Sequence, residues 1–347
     1  MRIGLIAPPW FQIPPSGYGG TELMIDGLAQ GLRDAGHEVL LFCTGDSTCR
    51  VPRGWVLPQA ATTQKASRSR SIIPELRQVI HAYKAVKGCD IIHDHTLIGP
   101  VYAERFDRLP VVTTNHRPFD EELSDLYQAM GDRVPIIAIS RSQASRANVP
   151  IARVIHHGID ADDFPFGNTD GGYVLFLGRM SPEKGAKRAA LVAAMTGSRL
   201  LIAARMRGPQ ERAYFEQEVQ PLLSDRIEYV GEVGPRRKRE LLVNARALLN
   251  PIRWPEPFGL VMIEALACGT PVLTFPEGAA VEIVDHGVTG FLCRDEEEMA
   301  ARLDEVGRLD RRACRAAVEG YFSTRRMVAE HVELFEQILS GALASSS

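Results

Sequence analysis

The chain has 347 residues, enough for two α/β domains, and its 45% hydrophobic and 24% charged residues are typical of globular proteins. Its 40 basic and 43 acidic residues give a formal net charge of −3, which argues against general nucleic-acid binding. The six cysteines form no Cys-x-x-Cys pair and no stretch reaches the roughly 18 apolar residues of a membrane span, so we expect no structural zinc and no membrane-spanning helix.

Short apolar runs alternate with helical patterns along the first half of the chain. We predict strands at residues 3–7, 37–43, 91–93, 111–114 and 136–139, and a helix at 21–35 that follows a glycine-rich loop. Pro8 and Pro9 end the first apolar run early, so we interpret it as a strand and not as a signal peptide. With the unpaired cysteines, this predicts a cytoplasmic protein.

The second half repeats the pattern after a stretch rich in Asp and Gly at 161–172, which we predict to be a linker. Strands are expected at 173–177, 200–204, 227–230, 247–251 and 271–275, and a last helix at 324–339. We therefore predict an α/β protein with two Rossmann-like, doubly wound domains facing a cleft, at residues 1–160 and 173–323, with a flexible tail at 341–347.

Two glutamates flank a predicted helix start at residues 256–265. Pro257 favours the first helical position, which puts Glu256 at or just before the N-cap, and the apolar run from Phe258 to Cys268 would form the helix. Glu264 follows Glu256 by about two turns, so both carboxylates can address the helix N-terminus, whose free N–H groups suit a phosphate. Acids beside an anion site favour a ligand that carries phosphate and many hydroxyls, and sugar nucleotides fit that description.

Two basic residues, Arg179 and Lys184, follow a predicted strand in a loop that opens a helix. Fixed cations at such a place can neutralise a diphosphate leaving group without reorganisation, although two surface cations on a loop are the plain alternative. The glycine-rich loop at residues 17–20 allows close approach of backbone to a ligand, or is simply a turn after a strand. Its spacing differs from the dinucleotide fingerprint Gly-x-Gly-x-x-Gly.

Histidines end the next two predicted strands. We take His93 and His95 to point to opposite faces of their strand, so that His95 alone would face the ligand, the alternative being a core or solvent-facing histidine. Asn115 and His116 end the following strand, where they could hold the acceptor or the sugar, or be ordinary polar loop residues.

For two further segments we prefer a structural role to a functional one. The sequence Asp160-Ala161-Asp162-Asp163 has an Asp-x-Asp spacing, but its context supplies no converging oxygens for Mg²⁺, so we assign it to the linker. Residues 67–88 carry five cations around apolar residues, and we favour a solvated helix face over a membrane-surface helix.

Four of these motifs, in this order, resemble those of retaining glycosyltransferases with the GT-B fold, and most closely those of glycosyltransferase family 4. They are the glycine loop at 17–22, the Gly-Arg…Lys-Gly segment at 178–185, the glutamate pair at 256 and 264, and the Gly-x-Thr-Gly turn at 287–292. The resemblance covers nearly the whole chain. It implies that the last helix, at 324–340, crosses back to the first domain.

The resemblance also implies roles for individual residues. Glu264 would bind ribose hydroxyls and Glu256 sugar hydroxyls, whereas His95 and Glu256 would act at the reaction centre, with no metal and no cofactor besides the sugar nucleotide. Asn115 and His116 would lie on the acceptor side. The rest of the donor-binding set would be Gly19, Gly20, Arg179, Lys184, Arg205, Val233, Phe258, Gly259 and Leu260. The chain departs from the family at His157, where an Asn is usual, at Arg205, where a Gly often ends the strand, and at the additional Pro255.

The substrates are less determined. We favour a UDP-sugar donor, then a GDP-sugar, and an oligosaccharide, natural-product or small-molecule acceptor, because the compact length and short loops resemble actinomycete enzymes such as those of orthosomycin (avilamycin-type) antibiotic pathways. We do not expect membrane association. A non-hydrolysing sugar-nucleotide epimerase and a two-lobed solute-binding protein without catalysis remain as alternatives.

Overall fold

The computed structural model describes residues 1–17, 19–61, 72–106, 109–168 and 170–342. Tyr18 of the glycine loop, residues 67–71 of the predicted amphipathic segment and residues 343–347 of the predicted tail lie outside these ranges. The chain divides into two compact units, Met1–Gly158 with Thr324–Ser347, and Ile159–Ser323.

The first unit, within the described ranges, contains a seven-stranded parallel sheet. Its strands are β1 (Arg2–Ile6), β2 (Glu38–Phe42), β3 (Arg53–Gly54), β4 (Ile91–Asp94), β5 (Val111–Thr114), β6 (Ile136–Ala138) and β7 (Arg153–Val154). Its helices before the crossing to the second unit are α1 (Gly20–Asp34), α2 (Ile73–Val86), α3 (Gly99–Ala103), α4 (Glu121–Met130) and α5 (Arg141–Ala144). The five predicted strands are confirmed, and β3 and β7 were missed because two-residue strands carry no readable period.

The second unit contains a six-stranded parallel sheet over the residues that the structure covers. Its strands are β8 (Val174–Arg179), β9 (Leu200–Arg205), β10 (Ile227–Tyr229), β11 (Ala247–Asn250), β12 (Val272–Thr274) and β13 (Gly290–Leu292). Its helices are α6 (Ala186–Thr196), α7 (Pro209–Tyr214), α8 (Pro235–Asn244), α9 (Leu260–Ala267), α10 (Ala280–Ile283), α11 (Glu296–Leu303) and α12 (Arg311–Gly320). The predicted turn at 287–292 leads into β13, which the sequence analysis had not recognised as a strand.

The two sheets share one topology. The strand order is β3-β2-β1-β4-β5-β6-β7 in the first sheet and β10-β9-β8-β11-β12-β13 in the second. In each sheet the first strand of the chain, β1 or β8, lies in the interior, and the strand order reverses beside it. All pairs are parallel, which confirms the doubly wound α/β prediction. In such sheets ligands bind at the carboxyl ends of the strands, at the point where the strand order reverses. That point lies between β1 and β4 in the first unit, and between β8 and β11 in the second.

The last helix, α13 (Thr324–Leu339), belongs to the first unit and packs on α1. A Cβ at Gly31 would lie 2.6 Å from Cγ2 of Val328, so a glycine allows the two helices to approach closely. Leu334 and Phe335 are buried in the same core cluster as Leu28. The chain therefore returns to its first unit, as the resemblance implied.

The helix after Glu256 begins later than predicted. It starts at Leu260 with Gly259 as N-cap, and Pro257 lies outside it. Gly259 has φ +93°, a left-handed conformation that a continuous right-handed helix from Pro257 could not contain. The predicted end is confirmed, because Cys268 is the C-cap and Gly269 follows with φ +77°.

The remaining segments have ordinary structural roles. Residues 161–168 and 170–172 lie in the second unit, where Arg315 donates to the carbonyl oxygen of Phe164 at 2.9 Å. Helix α2 buries Val79 and Tyr83 and exposes Arg77 and Lys84, as expected for a solvated helix face. None of the helices in the described ranges is long and apolar enough to cross a membrane.

Candidate functional site

An ion pair joins the two sides of the switch point in the second sheet. Lys184 lies in the loop after β8 and Glu256 in the loop after β11, and the Lys184 Nζ hydrogen-bonds the Glu256 Oε2. Trp254 donates from its Nε1 to the same oxygen at 2.7 Å, and the ammonium lies 4.8 Å from the indole centroid. The side chains of Lys184 and Glu256 are only 16% and 14% exposed, so solvent screens this pair weakly. Two predicted site residues are therefore brought together.

Two glycines fix the position of Glu256. The carbonyl of Glu256 accepts a hydrogen bond from the Ala279 N–H at 3.0 Å. A Cβ at Gly278 would lie 2.5 Å from the Glu256 nitrogen and would overlap its carbonyl oxygen, so only glycine permits this approach. A Cβ at Gly259 would be 3.4 Å from Glu256 Cγ. Sequence reasoning missed Gly278, although its place in a Pro-Glu-Gly turn after a strand was a usable signal.

Two arginines share one glutamate at the ends of β8 and β9. Arg179 and Arg205 are register partners in the sheet, and Glu211 Oε1 lies 3.9 Å from Arg179 Nε and 3.3 Å from Arg205 Nη2. Glu211 Oε2 also accepts from the Arg207 N–H at 2.7 Å, which ties the pair to the start of α7. Arg179 pairs with Glu183 as well. The predicted cations Arg179 and Arg205 therefore lie together, and Glu211 was missed.

The second motif glutamate is buried on α9 and already paired. Glu264 is 4% exposed, and Lys238 of α8 donates from Nζ to its Oε1 at 2.5 Å. Lys238 was missed, although the run Arg236-Arg237-Lys238-Arg239 carried a signal. Four cations within the first five residues of a helix oppose the helix dipole, so they need anionic partners.

The remaining donor-side predictions occupy the loops around these pairs. Phe258 is 2% exposed and packs edge-to-face on Phe322, with ring centroids 6.2 Å apart. Leu260 is the first residue of α9, whose N-cap Gly259 supplies no side-chain hydrogen bond, so backbone N–H groups head this helix. Val233 is half-buried in the loop before α8. No contact between Val233 and the ion pairs is present among the described residues.

In the first unit, the glycine loop ends at the start of α1. Gly19 is the N-cap and Gly20 the first helical residue. A Cβ at Gly19 would lie 2.7 Å from Pro15 Cβ and 3.0 Å from Glu22 Oε2, so the turn is too tight for a larger residue. Burial raises the pKa of Glu22 to about 7. The loop thus lies at the switch point between β1 and β4, beside a buried acid.

The expectation that His93 and His95 point to opposite faces is wrong. Their ring centroids are 4.0 Å apart and both residues are buried. Successive side chains of a strand alternate, so residues two apart project from the same face. His93 also bonds Thr114 through Nε2 at 2.7 Å and lies 5.1 Å, centroid to centroid, from His331 of α13. His95 follows β4 and continues its pairing with β1, donating from its N–H to the Ile6 carbonyl at 2.9 Å.

The next strand end places Asn115 and His116 differently. Both polar groups of the Asn115 side chain bond the backbone of Arg117, at 2.9 Å each, so Asn115 shapes its own loop. His116 Nε2 lies 3.0 Å from His95 Nδ1. The structure therefore brings His95 and His116 together and engages the side chain of Asn115 within the loop.

These histidines are neutral. Burial lowers the pKa of His116 to about 3 and that of His331 to about 4, and it lowers the pKa values of His93, His95 and His157 well below 6.5. Neighbouring imidazoles lower the pKa values of the other four further, and Arg326 and Arg153 lower that of His331. These five side chains are therefore polar and uncharged at neutral pH.

Within the residues that the structure describes, no three His, Cys, Asp or Glu side chains converge as a metal site would require. The Asp-x-Asp segment has a structural role: Asp160 caps the 3₁₀ turn Ala161–Asp163 by accepting from the Asp162 N–H at 3.0 Å. Asp162 pairs with Arg315 at 3.3 Å.

Two doubly wound α/β units are the architecture that the resemblance to glycosyltransferases implied, and family comparison agrees. The model described as Glycosyltransferase Family 4 matches residues 18–163, and the model described as Glycosyl transferases group 1 matches residues 160–319. The chain therefore belongs to this glycosyltransferase family and has the GT-B fold. Family membership favours the transferase over the epimerase and the solute-binding protein.

Individual relatives resemble the chain over most of its length. The phosphatidyl-myo-inositol mannosyltransferase of Mycolicibacterium smegmatis is 27% identical over 332 residues, covering 87% of this chain and 84% of that protein. The crystal structure of AviGT4, a glycosyltransferase involved in avilamycin A biosynthesis, is 26% identical with a TM-score of 0.74, covering 98% of each chain. Sucrose-phosphate synthase of Thermosynechococcus elongatus shares the fold, with a TM-score of 0.81 at 21% identity over 98% of this chain and 99% of that one.

Proposed function

We propose that this glycosyltransferase moves a sugar from a nucleoside-diphosphate sugar to a saccharide, natural-product or other small-molecule acceptor, with retention of anomeric configuration. A UDP-sugar is the favoured donor and a GDP-sugar the next. The observation that carries the proposal is the Lys184–Glu256 pair beside Arg179, at the switch point of the second sheet. Each of these groups complements one part of such a donor.

The diphosphate would exchange partners with the cations. Lys184 and Arg179 are held by Glu256 and Glu183 in the unliganded protein. A diphosphate offers stronger acceptors to both cations, and Arg179 can bond two of its oxygens. The N–H groups at Gly259 and Leu260, at the start of α9, add partial positive charge. We propose that these groups neutralise the leaving group without a metal ion.

The same exchange would prepare the carboxylates for the sugar. A Lys184 that turns to phosphate leaves Glu256 with free lone pairs, and Trp254 still donates to it and fixes its orientation. Glu256 can then accept hydrogen bonds from sugar hydroxyls, and Glu264, oriented by Lys238, from ribose hydroxyls. Val233 and Arg205 complete the donor side.

Retention follows from the family resemblance and fits these contacts. Glu256 is held by a lysine and an indole N–H, which suits a carboxylate that orients hydroxyls better than a nucleophile. As the diphosphate leaves, positive charge develops at the anomeric carbon, and the departing phosphate would assist attack on the same face. We place the acceptor against Gly19, Gly20, His95, Asn115 and His116 of the first unit. Likeness to AviGT4 supports a natural-product acceptor and a place in antibiotic biosynthesis.

Calorimetric titration tests the donor site. UDP, GDP, ADP and dTDP are titrated with and without Mg²⁺ into the wild type, Glu264→Ala and Glu228→Ala. Glu228 is an exposed partner of Arg199 on β10 and serves as the matched control. We expect one nucleotide to bind selectively without Mg²⁺ and to bind more weakly only in Glu264→Ala. Failure of the wild type to bind any of the four contradicts the donor proposal.

Retention is tested with the α-linked sugar of the nucleotide that binds. The anomeric configuration of the first product is read by NMR before it can equilibrate. An α-product is expected, and a β-product overturns the retaining assignment while leaving the donor site intact.

A further inference from the structure

Four buried histidines of the first unit and the half-buried His116 contact one another in series. Ring centroids are 5.1 Å apart for His331 and His93, 4.0 Å for His93 and His95, 5.2 Å for His95 and His116, and 5.4 Å for His116 and His157. They come from β4, the loop after β4, the loop after β5, the turn before residue 158, and α13. His157 stands where the resembling family usually has an asparagine.

One hydrogen bond in this series leaves two nitrogens open. His95 Nδ1 and His116 Nε2 share a bond of 3.0 Å. Their other nitrogens, His95 Nε2 and His116 Nδ1, are buried and have no hydrogen-bond partner among the residues that the structure describes. Buried polar atoms without partners are costly, so in an active-site loop they indicate groups that await a ligand. A ligand hydroxyl can satisfy either atom, because it can both donate and accept a hydrogen bond.

Because the rings of His95 and His116 are both neutral, the hydrogen bond between them limits which nitrogen of each ring can carry the proton. Burial holds the pKa of His116 near 3 and that of His95 well below 6.5, so each ring carries one N–H at neutral pH. If His116 Nε2 donates to His95 Nδ1, the proton of His95 must be on Nε2. If His95 Nδ1 donates instead, the proton of His116 must be on Nδ1. The two rings are therefore both Nε2–H or both Nδ1–H.

We propose that His116 is a positioning residue that sets the tautomer of His95. The two open nitrogens then always differ: one donates and the other accepts. His95 Nε2 donates to a hydroxyl when both rings are Nε2–H, and it accepts from a hydroxyl when both rings are Nδ1–H. This proposal rests on the proposed function, in which His95 meets a hydroxyl of the sugar or the acceptor.

His157 supports the arrangement from the other side. Its ring lies nearly parallel to that of His116, at an interplanar angle of 26°, and His157 is buried whereas His116 is half-buried. Stacking on one face and the hydrogen bond at the edge fix the plane of the His116 ring. Arg326 of α13 donates to the carbonyl oxygens of His156 and His157, at 2.8 and 3.2 Å, which holds this turn in place.

The tautomers are measured on the unliganded protein, so that the test does not depend on substrate. Histidine labelled with ¹⁵N is incorporated, and long-range ¹H–¹⁵N correlation spectra are recorded at neutral pH. His95→Gln and His116→Gln assign the signals of the two rings. We expect His95 and His116 to have the same tautomer. Opposite tautomers, or an imidazolium at either position, overturn the proposal.

Variants separate positioning from packing. His116→Leu removes the bond, so we expect the His95 signals to move to the average of two tautomers and turnover to fall about tenfold, as for other residues that orient a functional side chain. His116→Gln keeps a donor and an acceptor and should restore a single tautomer and most of the turnover. His331 has a ring contact with His93 and bonds the Met327 carbonyl through Nδ1, so His331→Leu removes neither partner of the His95–His116 bond and should leave the His95 tautomer unchanged.

The two proposals fail separately. Matching tautomers without any glycosyl transfer would leave the inference standing and remove the proposed function. If the enzyme transfers sugar and the His95 tautomer is the same in His116→Leu as in the wild type, the proposed function holds and the inference about His116 is wrong.

Discussion

The carboxyl edges of the two sheets share a topology but differ in charge. Eight of the nine histidines lie in the first unit, and only His286 belongs to the second. At the switch point of the first sheet, His93 and His95 are buried and His116 is half-buried, and all three are neutral. At that of the second sheet, Lys184 pairs with Glu256 and Arg179 with Glu183.

The difference shows how one topology can serve two kinds of ligand. Ion pairs hold cations in place for a diphosphate and can exchange partners when it binds. Neutral imidazoles can donate or accept, which suits hydroxyl groups and avoids the cost of an unpaired buried charge. The doubly wound fold supplies the edge, and the residues in the loops decide what it binds.

The largest effect should come from acid, and it should fall on the first unit. His116 and His331 have pKa values of about 3 and 4 in the folded state against about 6.5 when unfolded, so the unfolded chain binds more protons below pH 6.5. Stability is fully present above pH 6.5 and is lost as pH falls. Protonation of these two histidines in the unfolded chain costs about 3 kcal/mol of stability between pH 6.5 and pH 5. Glu22 and Asp94 offset a similar amount, because burial raises their pKa values to about 7 and the folded state binds their protons first. The net loss of stability therefore comes from His93, His95 and His157, whose pKa values burial also lowers well below 6.5.

Tryptophans allow the two units to be measured separately. Trp10 and Trp55 report on the first unit in Trp254→Phe, and Trp254 reports on the second when the other two are replaced by phenylalanine. Urea unfolding at pH 7.5, 6.5 and 5 should show a steep loss of the free energy of unfolding in the first unit only. Replacing the exposed His81 by glutamine should leave that slope unchanged. Equal slopes in both units would contradict the comparison.

The next effect tests the charged edge. Lys184→Met removes a buried charge-assisted hydrogen bond, so we expect affinity for the nucleoside diphosphate to fall about 100-fold, or about 2.7 kcal/mol. Lys187→Met is the matched control, since Lys187 lies three residues later and pairs with Glu218 at the surface. Calorimetry should show a loss only at position 184. Equal losses in both variants would mean that general charge, and not this pair, attracts the ligand.

A smaller effect tests the backbone that holds Glu256. Gly259→Ala places a Cβ at φ +93° and 2.7 Å from Met262 Cε, and should lower the free energy of unfolding of the second unit by about 2 kcal/mol. Gly197→Ala is the control: it also has positive φ, at +63°, but its Cβ would meet no atom within 4 Å. It should cost about 1 kcal/mol and leave nucleotide affinity unchanged. Equal losses of stability and affinity would show that Gly259 has no special relation to Glu256.

The smallest effect concerns the glutamate shared by two arginines. Glu211→Gln removes the charge between Arg179 and Arg205 but keeps an acceptor for the Arg207 N–H. We expect nucleotide affinity to fall about fivefold, or about 1 kcal/mol, because the arginines lose their fixed orientation. Glu232→Gln, which affects only the more exposed Arg207 pair, is the control. Tighter binding in Glu211→Gln would mean that Glu211 competes with phosphate and does not position the arginines.

Much of the architecture could be predicted from local patterns. Apolar runs such as 111–114 gave the strands, and the alternation with helices gave two parallel sheets. The motifs at 179–184 and 256–264 lie at the carboxyl edge of the second sheet because strands end where their apolar runs end. The start of α9 was misplaced, since Gly259 has φ +93° and interrupts a run that the apolar pattern predicted to be one continuous helix.

The partners of the site residues could not be predicted in the same way. Glu256 and Lys184 are 72 residues apart, and Glu264 and Lys238 are 26 apart. The sequence supplied both acids and both bases, but many pairings were open to them. The error at His93 and His95 had another cause: the alternation of a strand was misapplied, and the strand itself obeys it.

The sequence alone determined the order of strands and helices, the two-unit division and the residue types at each carboxyl edge, because these depend on periodicity and on short motifs. Tertiary structure decided which groups neutralise one another and which stay uncharged. It brought His331 of α13 onto His93 of β4, and Gly278 onto Glu256, from distant parts of the chain. Burial and pairing set charge and proton position in a site, and both depend on contacts that exist only once the chain has folded.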